Sequence, residues 1–183
     1  MTGPTHIVVG LSSTLAVVKL GGILPDALSI LAVIFGSLAP DIDSPRSSIA
    51  KPGYFFNRFF PRIVTDLMNV GGQFISVIIR HWLGHRGALH WPATAAIIFL
   101  IAEWSEIPAL LWFSLGYASH ILADFCTKGG IAIFAPLYRK TIRWSPIKTG
   151  SIFEFFICIV LLIFLIVAGI QYLPIDLNNL ELS

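Results

Sequence analysis

The chain has 183 residues, of which 56% are hydrophobic and only 12% charged, with a mean hydropathy of +0.82 and a formal net charge of +2. A soluble domain carries about 25% charged residues, so the composition excludes an ordinary water-soluble globule, and no nucleic-acid partner is expected. It predicts an all-α integral membrane protein: a single domain over 1–183, built as a compact bundle of about five transmembrane or re-entrant helices.

Residues 5–24 form an apolar run interrupted only by Lys19. At about 1.5 Å per residue the run reaches roughly 30 Å, the thickness of the hydrocarbon core. Met1-Thr2-Gly3-Pro4 has no basic segment, and no small-residue cleavage site follows, so a retained helix is expected rather than a cleaved signal peptide. After a turn at Pro25-Asp26, residues 27–39 are apolar but short for a full span, closer to a buried or re-entrant helix. That run ends in "GSLAPDIDSPRS", residues 36–47. Pro40 and Pro45 disfavour helix at the residues before them. An extended or turn-like Asp41-Ile42-Asp43 is therefore predicted, with both carboxylates on one side. Two carboxylates so placed repel unless a cation or a donor sits between them.

From 44 to 69, Arg46, Lys51, Arg58 and Arg62 interleave with Tyr54, Phe55, Phe56, Phe59 and Phe60. Such a mixture suits a segment in the headgroup layer, or a loop packed on the bundle. Residues 70–83 read as a half-helix beginning at Gly71-Gly72, with His81 as an interfacial residue. Residues 92–102 and 108–125 read as a helical hairpin around "EWSEI", and 152–173 as a full span with Glu154 near its start. Cys126 and Cys158 have neither metal-site spacing nor a disulfide framework.

The basic residues set the orientation. Six lie between 44 and 91 (Arg46, Lys51, Arg58, Arg62, Arg80, Arg86) and five between 126 and 150 (Lys128, Arg139, Lys140, Arg143, Lys148), leaving only Lys19 elsewhere. Both stretches fall on one side of a consistent threading, and the positive-inside rule makes that side cytoplasmic. A multi-pass plasma-membrane protein is expected, with the N-terminus inside and the C-terminus outside.

On this threading His6, Asp41, Asp43, His85, His90, His120 and Asp124 come from separate segments and converge at the cytoplasmic ends of the helices. His120 and Asp124, four apart, share a helix face. Ionisable residues in membrane helices are costly and mark function, so the set predicts a metal site. Glu103 and Glu106 lie at the opposite side and receive no role. Imidazole with carboxylate suits zinc, and also manganese or iron. A catalytic zinc uses three protein ligands and keeps a position for water, so the set is large enough for one or two ions. Paired metals suit the hydrolysis of phosphate esters, with Asp41 or Asp43 as ligand or general base toward the activated water. Arg86, Lys128, Arg139 and Arg143 lie on the same side and suit phosphate binding; for Arg139 and Arg143 anionic-lipid contact is the better reading. The short second helix would set Asp41 and Asp43 below the headgroups, which fits a membrane lipid or lipid-linked substrate.

Four blocks occur in order: "PTH" at 4–6, "APDID" at 39–43, "HRGALHW" at 85–91 and "GYASHILADFCTKGGIAIFAPL" at 116–137. They resemble the YdjM-like family of bacterial inner-membrane metal-dependent hydrolases, over most of the chain from Pro4 to about Leu137. That family is distantly similar to zinc phospholipase C and P1 nuclease. The resemblance implies a bacterial or archaeal inner-membrane location and a hydrolase, with His6, Asp41, Asp43, His85, His90, His120 and Asp124 as metal ligands. It also implies that Thr127 and Gly130 shape the site wall.

Two other classes remain open from sequence. A metal transporter or sensor also needs His and Asp in helices, but places them near the midplane. A noncatalytic interaction protein with a structural metal site would favour cysteine-rich ligation, and this chain offers none. A sugar-nucleotide transferase, suggested by the Asp-x-Asp pattern, lacks room for its nucleotide domain. Sequence leaves the oligomeric state undetermined.

Overall fold

Polar and small residues fill much of the interior of this fold, beside a small apolar cluster of Tyr117, Ile121 and Ile131, while many large apolar side chains lie on its surface. The structure is a computed structural model that describes residues 1–84, 86–145 and 147–172. Its helices are α1 (Gly3–Lys19), α2 (Ala27–Leu38), α3 (Gly53–Phe56), α4 (Arg62–Leu83), α5 (Pro92–Ser105), α6 (Pro108–Phe125) and α7 (Ile152–Ile170). Two 3-10 turns, Ala39–Asp43 and Ala88–His90, lie after α2 and before α5. Among the described residues there is no strand beyond an isolated antiparallel bridge between Ile131 and Ile142.

Thr5, Ser12 and Thr14 of α1, Ser29 and Ser37 of α2, and Ser114 and Ser119 of α6 are buried. Leu31, Phe35, Phe74, Phe99, Phe153 and Val160 are exposed. In water this arrangement would forfeit most of the hydrophobic stabilisation. In lipid it is the economical one, because apolar side chains lose nothing at the surface while polar groups must find partners inside. Among the described residues two helices, α4 and α7, are long and apolar enough to cross a membrane.

Helix α6 is the centre of the bundle and packs against α1, α2 and α5, with α7 lying on α1. The α2–α6 crossing is close because glycines face backbone. A Cβ at Gly36 would meet the Phe113 carbonyl oxygen at 2.2 Å, and one at Gly116 would meet the Val33 carbonyl oxygen at 2.3 Å. Close backbone approach at small residues is how membrane helices gain packing without a hydrophobic driving force. Asp26 caps α2 by accepting the Ser29 backbone N–H at 2.7 Å, and its bonds to Ser29 hold its carboxyl below the usual range.

Several boundaries differ from the sequence expectations. Helix α1 stops at Lys19 rather than running to 24, because Gly21 takes a left-handed conformation (φ 97°) and Gly22 N–H closes back on the Val17 carbonyl at 3.0 Å. Asp41-Ile42-Asp43 is not extended. Ala39 is helical (φ −57°, ψ −40°) despite Pro40, and the segment winds on as a 3-10 turn until Ser44 becomes extended. Residues 70–83 are the second half of a longer helix. The glycines fall inside α4, where a Cβ on Gly72 would meet the Ala50 carbonyl oxygen at 2.6 Å. Helix α5 continues to Ser105, so part of "EWSEI" is helical. Helix α7 ends at Ile170, and residues 173–183 lie outside the described residues.

Helix α4 packs chiefly on α3 and on the Ala39–Asp43 turn rather than along the bundle. Its packed face carries Thr65, Asn69 and Ser76, all buried, while Ile63, Leu67, Phe74 and Trp82 face outward.

Candidate metal centre

Four pieces of chain meet at one end of the bundle. The first turn of α1 brings His6, the turn after α2 brings Asp41 and Asp43, the turn before α5 brings His90, and the last turns of α6 bring His120 and Asp124. His6, His90, His120, Asp43 and Asp124 are 0–1% exposed, whereas the Asp41 side chain is 24% exposed.

The 3-10 winding, unlike an extended chain, sends the two aspartates in different directions, and they bracket His90. Asp41 Oδ1 lies 3.6 Å from His90 Nε2, and Asp43 Oδ2 lies 3.9 Å from His90 Nδ1. His90 is positioned by its own turn, which the Tyr117 hydroxyl holds by donating to the Leu89 carbonyl and the Thr94 hydroxyl by donating to the Ala88 carbonyl at 2.5 Å. His120 stacks on His6 with ring centroids 3.6 Å apart, and its Nδ1 is 2.7 Å from the Ser37 carbonyl oxygen. As the donor to that carbonyl, Nδ1 leaves Nε2 unprotonated and turned toward the carboxylates.

Two overlapping ligand sets result, one of His6, His120 and Asp124 and one of Asp41, His90 and His120, each with its ligand atoms within 4.8 Å of one another. His120 belongs to both. His6 Nε2 is 3.4 Å from Asp124 Oδ1, His90 Nε2 is 3.8 Å from Asp124 Oδ2, and His120 Nε2 is 3.8 Å from Asp41 Oδ1. These separations are long for hydrogen bonds. They are near the roughly 3.3 Å that separates two ligands sharing one tetrahedral zinc at its usual bond lengths. The donor set fits a divalent cation for a further reason. Both ring nitrogens of His6, both of His90 and Nε2 of His120 are buried without a hydrogen-bond partner among the described residues. Buried polar atoms are rarely left so, and a bound ion would satisfy one nitrogen of each ring.

Positive charge already gathers at Asp124, where the Met1 amine pairs with Oδ1 and Arg86 Nη2 lies 3.0 Å from Oδ2. At Asp41 burial works against ionisation, but the adjacent His90 and the imidazoles of His120 and His6 outweigh it, and its pKa falls below the ordinary carboxylate value.

Of the residues expected to bind substrate, Arg86 serves the frame of the site. Its backbone N–H, in a left-handed conformation (φ 53°), donates to Asp43 Oδ2 at 2.7 Å, and its guanidinium joins Asp124 to the Gly130 carbonyl at 3.4 Å. Thr127 is fully buried and its hydroxyl donates to the Asp124 carbonyl at 2.8 Å. Gly130, at φ 61°, turns the chain beside them, and Lys128 is exposed with its backbone N–H bound to the Ile147 carbonyl at 2.7 Å. Arg86 and Thr127 contact Asp124. His85 lies outside the described residues.

Sequence reasoning gave Glu154 no role, yet it is 2% exposed at the start of α7. Its carboxylate accepts the Thr2 backbone N–H at 2.5 Å and the Gly150 N–H at 2.7 Å, fastening the chain start to the site end of the bundle. The signal was a lone carboxylate in an apolar span, three residues after the capping Ser151. Glu154→Ala leaves two N–H groups without their acceptor, and about 1–3 kcal/mol of stability is expected to be lost. Thermal unfolding in detergent checks this, and the metal stoichiometry should remain.

The family whose profile matches this chain is described as YdjM inner membrane protein, over residues 1–176. The chain is 29% identical over 157 residues to the uncharacterized protein YvsG of Bacillus subtilis, covering 84% of this chain and 85% of that protein. It is 31% identical over 145 residues to the inner membrane protein YdjM of Escherichia coli and to that of Shigella flexneri. That match covers 72% of this chain and spans only 62% of the length of each YdjM protein. No solved structure matches.

Proposed function

The chain belongs to the YdjM inner membrane protein family, and from that premise we propose that it is a membrane-embedded metal-dependent hydrolase of a phosphoester, acting on a phospholipid or a lipid-linked phosphate. The observation that carries this reading is the set of buried imidazole nitrogens that have no hydrogen-bond partner among the described residues, gathered with Asp41 and Asp124 around His120.

His6, His120 and Asp124 would hold one ion and Asp41, His90 and His120 would hold or share a second, with zinc favoured by the imidazole-rich set. A divalent cation bound there supplies Lewis acidity, activating water and neutralising charge on a phosphate. The protein's own groups divide the remaining work. Asp41 is the partly exposed carboxylate and the one placed to take a proton from an incoming water. Asp43, buried and bound to the Arg86 N–H, orients His90. Arg86 holds Asp124 in place. Both ligand sets lie at a single end of the bundle, and among the described residues no third set is found at the other. That favours hydrolysis at one face over transport, which needs access from both. The connections at the site end carry Arg46, Arg58, Lys128 and Arg143, which supports a cytoplasmic site with the N-terminus inside.

Metal content by mass spectrometry, on detergent-purified protein, tests the reading. The wild-type chain is expected to hold about one to two equivalents of divalent metal, and Asp41→Ala/Asp43→Ala to lose most of it, together with hydrolysis of phospholipid in mixed micelles. A wild-type protein that is metal-free after purification in metal-supplemented buffer would overturn it.

A further inference from the structure

A pocket of about 300 Å³ opens beside Asp41, lined by Ser44, Arg46, Ser47 and Ser48 and by the first turn of α1 at Thr2 and Gly3. We propose that this pocket is the binding site for the phosphate group of the substrate, with Arg46 as its charged anchor. The inference rests on the metal-dependent reading above and deepens it, since Arg86 and Lys128 do not line this pocket and Met1, which does, has its amine engaged with Asp124.

Three observations converge. First, the pocket holds donors that nothing else uses. Among the described residues, Arg46 has no ion pair, and the Ser44 and Ser48 hydroxyls have no hydrogen-bond partner; the Ser47 hydroxyl donates to the Ser44 carbonyl at 2.7 Å. An arginine beside free hydroxyls matches the planar, many-acceptor surface of a phosphate. Second, α1 begins at the pocket, and its N-terminus has no side-chain cap. The positive dipole end of that first turn favours an anion there, through the Gly3 N–H rather than that of Thr2, which Glu154 takes, or Pro4, which has none. Gly3 permits this approach, for a Cβ on it would meet Ser48 Oγ at 2.9 Å. Third, the wall that faces the metal centre is Asp41, a member of one ligand set. A phosphate in the pocket therefore lies between the centre and Arg46.

Size narrows the ligand. Sites for small molecules run from about 300 to 1,000 Å³, so this one takes a phosphate with a small alcohol and leaves hydrocarbon chains outside. A larger apolar cavity of about 940 Å³ lies among Gly21, Leu24, Phe99, Leu111 and Trp112, away from the ligand sets, and offers a phosphate no charge partner.

The test uses full-length, metal-loaded protein in detergent, with inorganic phosphate as probe and calorimetry as readout. Arg46→Gln is expected to weaken phosphate binding about tenfold or more, with metal content unchanged and partial recovery in Arg46→Lys. Ser48→Ala should weaken it less, and Arg58→Gln, a basic residue outside the pocket, should leave it alone. Phosphatidic acid in mixed micelles that displaces phosphate supports the pocket and assigns it to a lipid headgroup. A failure to displace also supports it and assigns it to a soluble phosphate. Equal phosphate affinity in wild type and Arg46→Gln, or no phosphate binding by metal-loaded wild type, overturns the proposal while leaving the metal centre standing. A metal-free wild type would instead count against the metal centre itself.

Discussion

Replacing His120 with alanine is expected to empty both halves of the metal centre at once. His120 is the residue common to the two ligand sets, it is fully buried, and its Nδ1 is fixed by the Ser37 carbonyl so that Nε2 has one direction to face. Loss of a group that merely orients a ligand costs roughly 10–100-fold in metal affinity, and loss of the shared ligand should exceed that. Bound metal in His120→Ala should fall to the background of the assay, with hydrolysis falling alongside. His6→Ala and His90→Ala provide the contrast, because each touches one set only and should leave the other ion in place. Helix content by circular dichroism guards against simple unfolding. A folded His120→Ala protein that retains its full metal complement would show that these triads are not the ligands.

The second large effect is expected where no chemistry takes place. Gly116→Val puts a branched side chain where even a Cβ would lie 2.3 Å from the Val33 carbonyl oxygen and 3.0 Å from the Ser37 nitrogen. Those neighbours are backbone and have no rotamer to yield. Overpacking of a well-filled interior costs about 1–3 kcal/mol, and here the upper end or beyond is expected because α2 and α6 must separate. The separation also draws the Ser37 carbonyl away from His120. The variant should therefore unfold at lower temperature in detergent and bind metal less tightly, with Gly116→Ala intermediate in both. Unfolding at the wild-type temperature would mean that the two helices do not cross at these glycines.

Much of the fold was legible because lipid imposes a simple code. Helices α2, α6 and α7 start where the apolar runs start, and α6 matches its expected bounds, since Pro108 opens it and the run leaves no alternative. The failures have local causes. The end of α1 depended on the left-handed Gly21, which an apolar count reads as more helix. The first half of α4 was hidden by its own pattern. Thr65, Asn69, Gly72 and Ser76 make one polar stripe that faces protein, so a linear reading sees a broken apolar run. The turn-like form expected at Asp41 is the one found, but Ala39 was misjudged, because a single pre-proline residue can still be helical when the chain on either side holds it. Convergence of His6, Asp41, Asp43, His90, His120 and Asp124 was readable from helix polarity alone, because each lies at the same end of its helix. Which atoms meet was not. The bracketing of His90 and the sharing of His120 depend on winding and on crossing distances set by glycine. Arg46 looked like any other basic residue of the connections, since nothing in its neighbourhood in sequence reveals that it has no ion-pair partner among the described residues.

The wide spacing of the ligands along the chain bears on how the molecule is made. Residues from α1, from the turns flanking α4 and from the end of α6 meet in one place, and no two neighbouring segments contain a complete ligand set. During synthesis the early helices enter the membrane with His6, Asp41 and His90 in place but without His120, so the ion cannot be captured until α6 has emerged. Because the binding energy of an ion held between folded segments is also folding energy, metal capture at the proposed centre would close the assembly rather than begin it. A cell short of the ion while this chain is being made would accumulate helices that are inserted but not locked together, and the shortage would be read first by the proteases that patrol the membrane.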